Sequence, residues 1–222
     1  MVCCFCLWAS MILLIGGEKG GTGKSTIATN IAAYLSQKGD DVLILDSDPQ
    51  ATSSKWTTRR QKNFPNLPPI HCVQKTGDIY ETIKDVSSRY KQVIIDAGGR
   101  DSEELRTAML ASKKIYIPIK ASQPDLDTIM HMDKLIAVAK SMNRDLEARV
   151  VLSIAPTNPL INEEKEAKKL LKTLNSILLS SCVIRDRKSY RDAMSDGIGV
   201  VESKTGKAKI EINLLAAEIY QW

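Results

Sequence analysis

The chain has 222 residues, with 31 Lys and Arg against 26 Asp and Glu, for a formal net charge of +5. That length suits one α/β domain, and the mild basic excess permits a polyanionic partner without requiring one. Two histidines, isolated Cys72 and Cys182, and a Cys3–Cys6 pair with no second pair leave little material for a zinc site and fit a reducing cytoplasm.

Residues 1–10 (MVCCFCLWAS) join MILLIGG in an apolar run of about fifteen residues, too short to span a bilayer comfortably. No basic n-region precedes the run and no lipobox precedes a cysteine, so residues 1–10 are expected to be an extension, with one domain over 11–222. Met11–Ile15 is then a buried strand. Ile27, Ile31 and Leu35, with Ala28 and Ala32 beside them, mark one face of a helix over Lys24–Gln37. Gly39 ends it, and Val42–Leu45 is a second buried strand. Gln50–Gln61 reads as a polar helix, and the three prolines of Asn63–Pro69 as a loop.

An edge strand is expected at Ile70–Val73, a helix at Asp78–Ser88, a strand at Gln92–Ile95 and a helix at Ser102–Ser112. Ile115–Ile119 is a strand. Pro124 sits in the first turn of a long helix to Ser141. Strands at Arg149–Ile154 and Ser181–Ile184 flank a charged helix at Asn162–Leu174, and helices near Ser189–Ser195 and Lys207–Gln221 finish the chain. Continuous apolar strands alternating with helices predict an α/β fold: a mostly parallel twisted sheet with helices on both faces.

Three stretches carry chemistry. Gly17–Thr26 reads GEKGGTGKST between a strand and a helix. This is the phosphate-loop pattern G-x-x-x-x-G-K-S/T, except that Glu18 stands where the first glycine belongs and Lys19 is an additional lysine. The backbone of Gly20, Gly21, Thr22, Gly23, Lys24 and Ser25, continuing to Thr26, can converge on a phosphate at a helix N-terminus. Lys24 is then placed to neutralise β- and γ-phosphates, and the Ser25 hydroxyl to ligate Mg²⁺. Lys19 taken alone reads as a second local phosphate ligand or as a solvated lysine.

In Leu43–Gln50 (LILDSDPQ), Asp46 and Asp48 leave the carboxyl end of a strand, where open α/β sheets bind ligands. Such a carboxylate can reach Mg²⁺ or a water, or can form an Asx turn before Pro49. Gln92–Gly99 (QVIIDAGG) is an apolar strand ending in Asp96, a Walker-B pattern whose carboxylate holds Mg²⁺, usually through water.

KGGTGKST with Lys19, DSDPQ, IIDAGG, IPIKASQPD and IRDRKSYRDAMSDGIGVVE together resemble the ParA/MinD family of deviant Walker-A ATPases, P-loop NTPases, from Met11 to the C-terminus. DSDPQ and the Ile184–Glu202 stretch favour the small ParA type. The usual D-x-P-P after the Walker-B strand is replaced by Asp96-Ala-Gly-Gly. The resemblance implies an ATP- and Mg²⁺-dependent ATPase and assigns Lys19 to the nucleotide of a second subunit, hence a homodimer on ATP binding. It assigns Asp48 to water, Asp46 to the metal shell and Thr157 and Asn158 to the neighbourhood of the adenine.

It further implies a partition protein that binds nonspecific DNA on the nucleoid and is released when a ParB-like centromere-binding partner stimulates hydrolysis. Arg185, Arg187, Lys188 and Arg191 are the DNA-contact candidates, as a basic patch that grips phosphates without reading bases. Asp186 and Asp192 dilute that patch. The final helix carries acids and packs like a core helix, so no membrane contact is expected. A division-positioning switch of the MipZ kind, acting on a partner protein, is the alternative. A metabolic P-loop enzyme such as dethiobiotin synthetase leaves Lys19 and DSDPQ without a role.

Overall fold

A computed structural model describes residues 10–158, 163–204 and 206–221. The extension up to residue 9, its Cys3–Cys6 pair and the expected helix start at Asn162 lie outside the described residues. Seven strands form one sheet in the order β3-β2-β4-β1-β5-β6-β7, and every neighbouring pair is parallel. They are β1 (Met11–Ile15), β2 (Val42–Asp46), β3 (His71–Gln74), β4 (Gln92–Asp96), β5 (Lys114–Ile119), β6 (Glu147–Ala155) and β7 (Leu178–Arg185). The helices between and after them are α1 (Lys24–Gln37), α2 (Thr52–Asn63), α3 (Tyr80–Ser87), α4 (Glu103–Ala111), α5 (Gln123–Met142), α6 (Glu163–Leu171), α7 (Lys188–Asp196) and α8 (Lys207–Tyr220).

The central strands are apolar at nearly every position because both faces are covered. Successive side chains point to opposite faces. Ile12, Leu14, Leu43, Leu45, Val93 and Ile95 accordingly pack into the core under α3–α6. Leu13, Ile15, Val42, Ile44 and Ile94 pack under α1, α2, α7 and α8. The chain winds outward from β1 to β3, returns through β4, and continues on the other side through β5, β6 and β7. A crevice opens at the carboxyl ends of such central strands.

Most differences from the sequence expectations lie at the sheet edges. β3 is shifted by one residue, with Ile70 buried just before it and the strand itself largely exposed. β7 begins at Leu178 rather than Ser181. Its pairing with β6 is irregular between Val150 and Ala155. The serines of LLSS hide the strand because an edge strand need not be apolar on every side. A short 3-10 turn at Val200–Glu202 had no clear sequence signal. α8 is a core helix as expected, burying Ala208, Ile212, Leu215, Ala216 and Ile219.

Trp56 is buried in the core, and its Nε1–H donates to the Ile198 carbonyl at 3.2 Å. Beside it the Arg60 guanidinium grips Glu202 at 2.6 and 2.7 Å, with both side chains only 3% exposed. α2, which hangs from the DSDPQ turn, is thereby fastened to the segment after α7.

Candidate nucleotide site

The loop after β1 delivers the chain into α1 through two left-handed glycines, Gly21 (φ 68°) and Gly23 (φ 88°). A side chain at either position is strained. Gly23 precedes α1, no side chain caps the helix, and its first turn carries no acid. The first N–H groups and the positive end of the helix dipole are therefore left for a ligand. Lys24 is buried at 6% exposure, and its Nζ donates to the Lys19 carbonyl at 2.7 Å. Burial lowers its pKa, while the Asp96 and Asp48 carboxylates oppose that shift. Gly20, Lys24, Ser25, Asp48, Gly99 and Arg100 line a cavity of about 720 Å³ above this loop.

β2 and β4 are neighbours, with Asp46 opposite Asp96 in register, so two fully buried carboxylates end adjacent strands. The Ser53 hydroxyl donates to Asp96 Oδ2 at 2.6 Å, but Oδ1 is buried without a partner. Burial first, and then the Asp46 charge, push the Asp96 carboxyl up to about 7 against the opposing effects of Ser53, Ser25 and Lys24. An orphaned carboxylate oxygen beside a serine hydroxyl fits a hard cation such as Mg²⁺.

Asp46, expected in the metal shell, is engaged by backbone groups in this structure. Its oxygens accept the N–H groups of Asp48 at 3.2 Å and Ser54 at 2.8 Å, and it does not line the cavity. Asp48 is half-buried and lines the cavity, while its Oδ1 accepts the Gln50 N–H at 2.9 Å. The Asx turn and a cavity-facing carboxylate thus coexist at Asp48. Left-handed Ala51 (φ 52°) then leads into α2.

The Ala-Gly-Gly that replaces the family's D-x-P-P has a steric reason. A Cβ on Gly99 would lie 2.8 Å from both Cα and N of Gly20, so this loop rests directly on the phosphate loop. Glu18, at the missing glycine position, reaches α5, where its carboxylate meets His131 Nδ1 at 2.5 Å. Ligand atoms of Glu18, Asp101 and His131 lie within 4.8 Å of one another. Glu18 and His131 lie too far apart along the chain for their contact to be legible before folding.

A second groove of about 450 Å³ adjoins the first and is lined by Gly23, Thr26, Ile154, Arg185, Arg187 and Tyr190, among others. Gly23, Thr26 and Ile154 line both. Ile154 has φ 53°, a strained conformation for a β-branched residue, where the β6–β7 pairing is irregular. Nothing in RVVLSI signals it, since an apolar β-branched run reads as extended. Thr157 and Asn158 are exposed and line neither space.

The four DNA-contact candidates do not form an open basic patch. Arg185 donates to the Pro156 carbonyl at 2.7 Å and pairs with Glu164 at 3.1 Å. Arg187 grips Glu211 through two nitrogens at 2.9 and 2.7 Å. Lys188 pairs with Asp192 at 2.8 Å, and Arg191 with Asp186. Arg185, Arg187 and Arg191 also border the second groove.

Comparison with known proteins agrees with this geometry. A family model described as the CobQ/CobB/MinD/ParA nucleotide binding domain matches residues 13–201. The chain is 29% identical over 210 residues to the maintenance of carboxysome distribution protein A of Halothiobacillus neapolitanus, covering 93% of this chain and 95% of that one. It is 45% identical over 168 residues to the chromosome-partitioning ATPase Soj of Thermus thermophilus, covering 63% of this chain and 66% of that one. The solved complex of a Cyanothece McdA with ATP superimposes with a TM-score of 0.76 at 16% identity, over 96% of this chain and 97% of that one.

Proposed function

Because the chain belongs to the CobQ/CobB/MinD/ParA nucleotide-binding family, we propose that it is an ATP- and Mg²⁺-dependent ATPase of the ParA type that dimerises on ATP and distributes a cargo. The observation that carries the nucleotide reading is the set of unsatisfied groups at the carboxyl ends of β1, β2 and β4. These are an uncapped helix N-terminus and an Asp96 oxygen with no partner beside Ser25, with the buried Lys24 cation next to them.

The phosphates rest on the N–H groups of Gly20 to Thr26, with Lys24 turning from the Lys19 carbonyl to the β- and γ-phosphates. The nucleoside lies in the second groove, against Ile154, Arg187 and Tyr190, with Thr157 and Asn158 beyond its rim. Ser25 and Asp96 hold the metal, which supplies charge neutralisation at the transferring phosphoryl group. Asp46 acts from behind, fixing the turn that carries Asp48. Asp48 orients the attacking water.

Lys19 reaches a second subunit's nucleotide. Its side chain is half-buried, and Lys24 already serves the loop from within. ATP-bound dimers bind nonspecific DNA on the nucleoid and are released by a ParB-like partner. The internal ion pairs at Arg185, Arg187, Lys188 and Arg191 mean that DNA contact through these residues requires exchange of carboxylates for phosphates. That supports a weak, salt-sensitive grip which pairing of two subunits makes useful.

A second reading, positioning of a protein cargo rather than DNA segregation, is supported by near full-length similarity to a carboxysome-distribution protein. Sedimentation with ATP and Mg²⁺ tests the shared core of both readings. Wild-type protein should form dimers, and Lys19→Ala should bind ATP yet remain monomeric. A Lys19→Ala protein that dimerises and hydrolyses normally contradicts the role given to that lysine.

A further inference from the structure

Arg100 is the first side chain after the Gly98-Gly99 pair. It is exposed and lines the nucleotide cavity together with Asp48 and Lys24. Its guanidinium makes no ion pair or hydrogen bond to another side chain or carbonyl among the described residues. Two nearby acids, Asp101 and Glu104, are engaged elsewhere. Asp101 is held by Arg106, whose Nε donates to Oδ1 at 2.7 Å, and Glu104 accepts the Gly77 N–H at 2.7 Å. The backbone before Arg100 has little freedom, because Gly99 lies against Gly20, and Gly98 lies against Asp48. An uncommitted cation therefore stands on a loop pinned to the phosphate loop.

The cavity has a direction. It shares Gly23, Thr26 and Ile154 with the second groove, whereas Asp48, Gly99 and Arg100 line the cavity and not the groove. A nucleotide whose base occupies the groove places its phosphates in the part of the cavity that the groove does not share, which Arg100 lines. We propose that Arg100 is a ligand of the terminal phosphate of ATP, giving the site its preference for a triphosphate over a diphosphate. The proposal rests on the ATPase reading above. A planar guanidinium matches phosphate oxygens with two parallel hydrogen bonds, which lysine cannot reproduce. Lining the same cavity as Asp48, it also offsets the repulsion between that carboxylate and an incoming γ-phosphate.

Calorimetric titration of ATP and of ADP, each with Mg²⁺, into wild type, Arg100→Ala and Arg100→Lys tests this. Arg100→Ala should lose about tenfold or more in ATP affinity, as expected for charged hydrogen bonds, while ADP affinity stays within about twofold. Arg100→Lys should recover part of the loss. The thermal midpoint without nucleotide should not move, which separates a phosphate contact from a structural one. An unchanged ATP-to-ADP ratio in Arg100→Ala overturns the assignment and leaves the ATPase reading intact. An equal loss for both nucleotides also overturns it. Wild-type protein that binds neither nucleotide overturns the ATPase reading and this proposal together.

Discussion

Two charged regions of this molecule differ in what they leave unsatisfied. At the carboxyl ends of β1, β2 and β4, the helix dipole of α1 is uncapped, Asp96 has an oxygen without a partner, and Arg100 has no acid. Around the β7–α7 junction, the four basic residues are each paired with a carboxylate of the same chain. Both regions are conspicuous in the sequence, and the basic one is denser in charge. Charge density alone does not mark a binding site. A buried polar group without a partner is costly, so a fold that keeps one beside an uncapped helix end is shaped around something it binds.

The largest effect that can sharpen this contrast is at Asp48. Asp48→Ala leaves the phosphate loop intact, so ATP should still bind while hydrolysis falls by roughly 10²–10⁴, the usual contribution of a positioned general base. Single-turnover phosphate release beside equilibrium binding measures both. Asp46→Ala should behave differently, because it removes two backbone anchors of the turn and should lower stability as well as turnover.

Asp96→Asn comes next. Burial raises the Asp96 carboxyl to about 7, against about 3.9 in an unfolded chain. Between those values the folded state binds the proton more tightly, so the stability contribution is present at low pH and is lost as pH rises through 7. Burial raises Asp46 in the same direction. Nucleotide-free wild type should therefore lose stability from about pH 4 to 7. Asp96→Asn should flatten that slope in thermal melts, while abolishing Mg²⁺-dependent hydrolysis.

The smallest effects belong to the basic segment. Lys188 and Asp192 are exposed at 80% and 52%, so Lys188→Ala should change stability by no more than about 0.5 kcal/mol. Arg187 and Glu211 are far more enclosed, at 21% and 13%. Arg187→Ala should therefore cost about 1–3 kcal/mol, because it leaves Glu211 with fewer partners. It should also weaken ATP binding from its place on the second groove. Chemical denaturation and nucleotide titration of the two variants separate a structural pair from a solvated one.

The central strands and the phosphate loop were legible because their physics is local. MILLI and VLIL can only be strands buried on both faces, and KGGTGKST has the glycines that its left-handed turns require. Asp48 and Asp96 were legible as carboxylates at strand ends, but not their division of labour. Only the fold shows that Asp46 spends both oxygens on backbone N–H groups while Asp96 keeps one free. Gly99 read as a departure from the family pattern until Gly20 was seen against it. Ile154 was silent, since its left-handed backbone comes from the β6–β7 irregularity and not from its residue type. The pairing of Arg185 and Arg187 was not legible, because their partners, Glu164 and Glu211, lie far away in sequence.

The central claim is that the unsatisfied end of the sheet holds ATP with Mg²⁺. Calorimetric titration of ATP into the wild-type chain, with Mg²⁺ and then with the metal chelated, tests it most directly. Saturable one-to-one binding per chain that weakens by about tenfold or more on chelation is the predicted result. ATP binding that is absent, or that is indifferent to Mg²⁺, would contradict it.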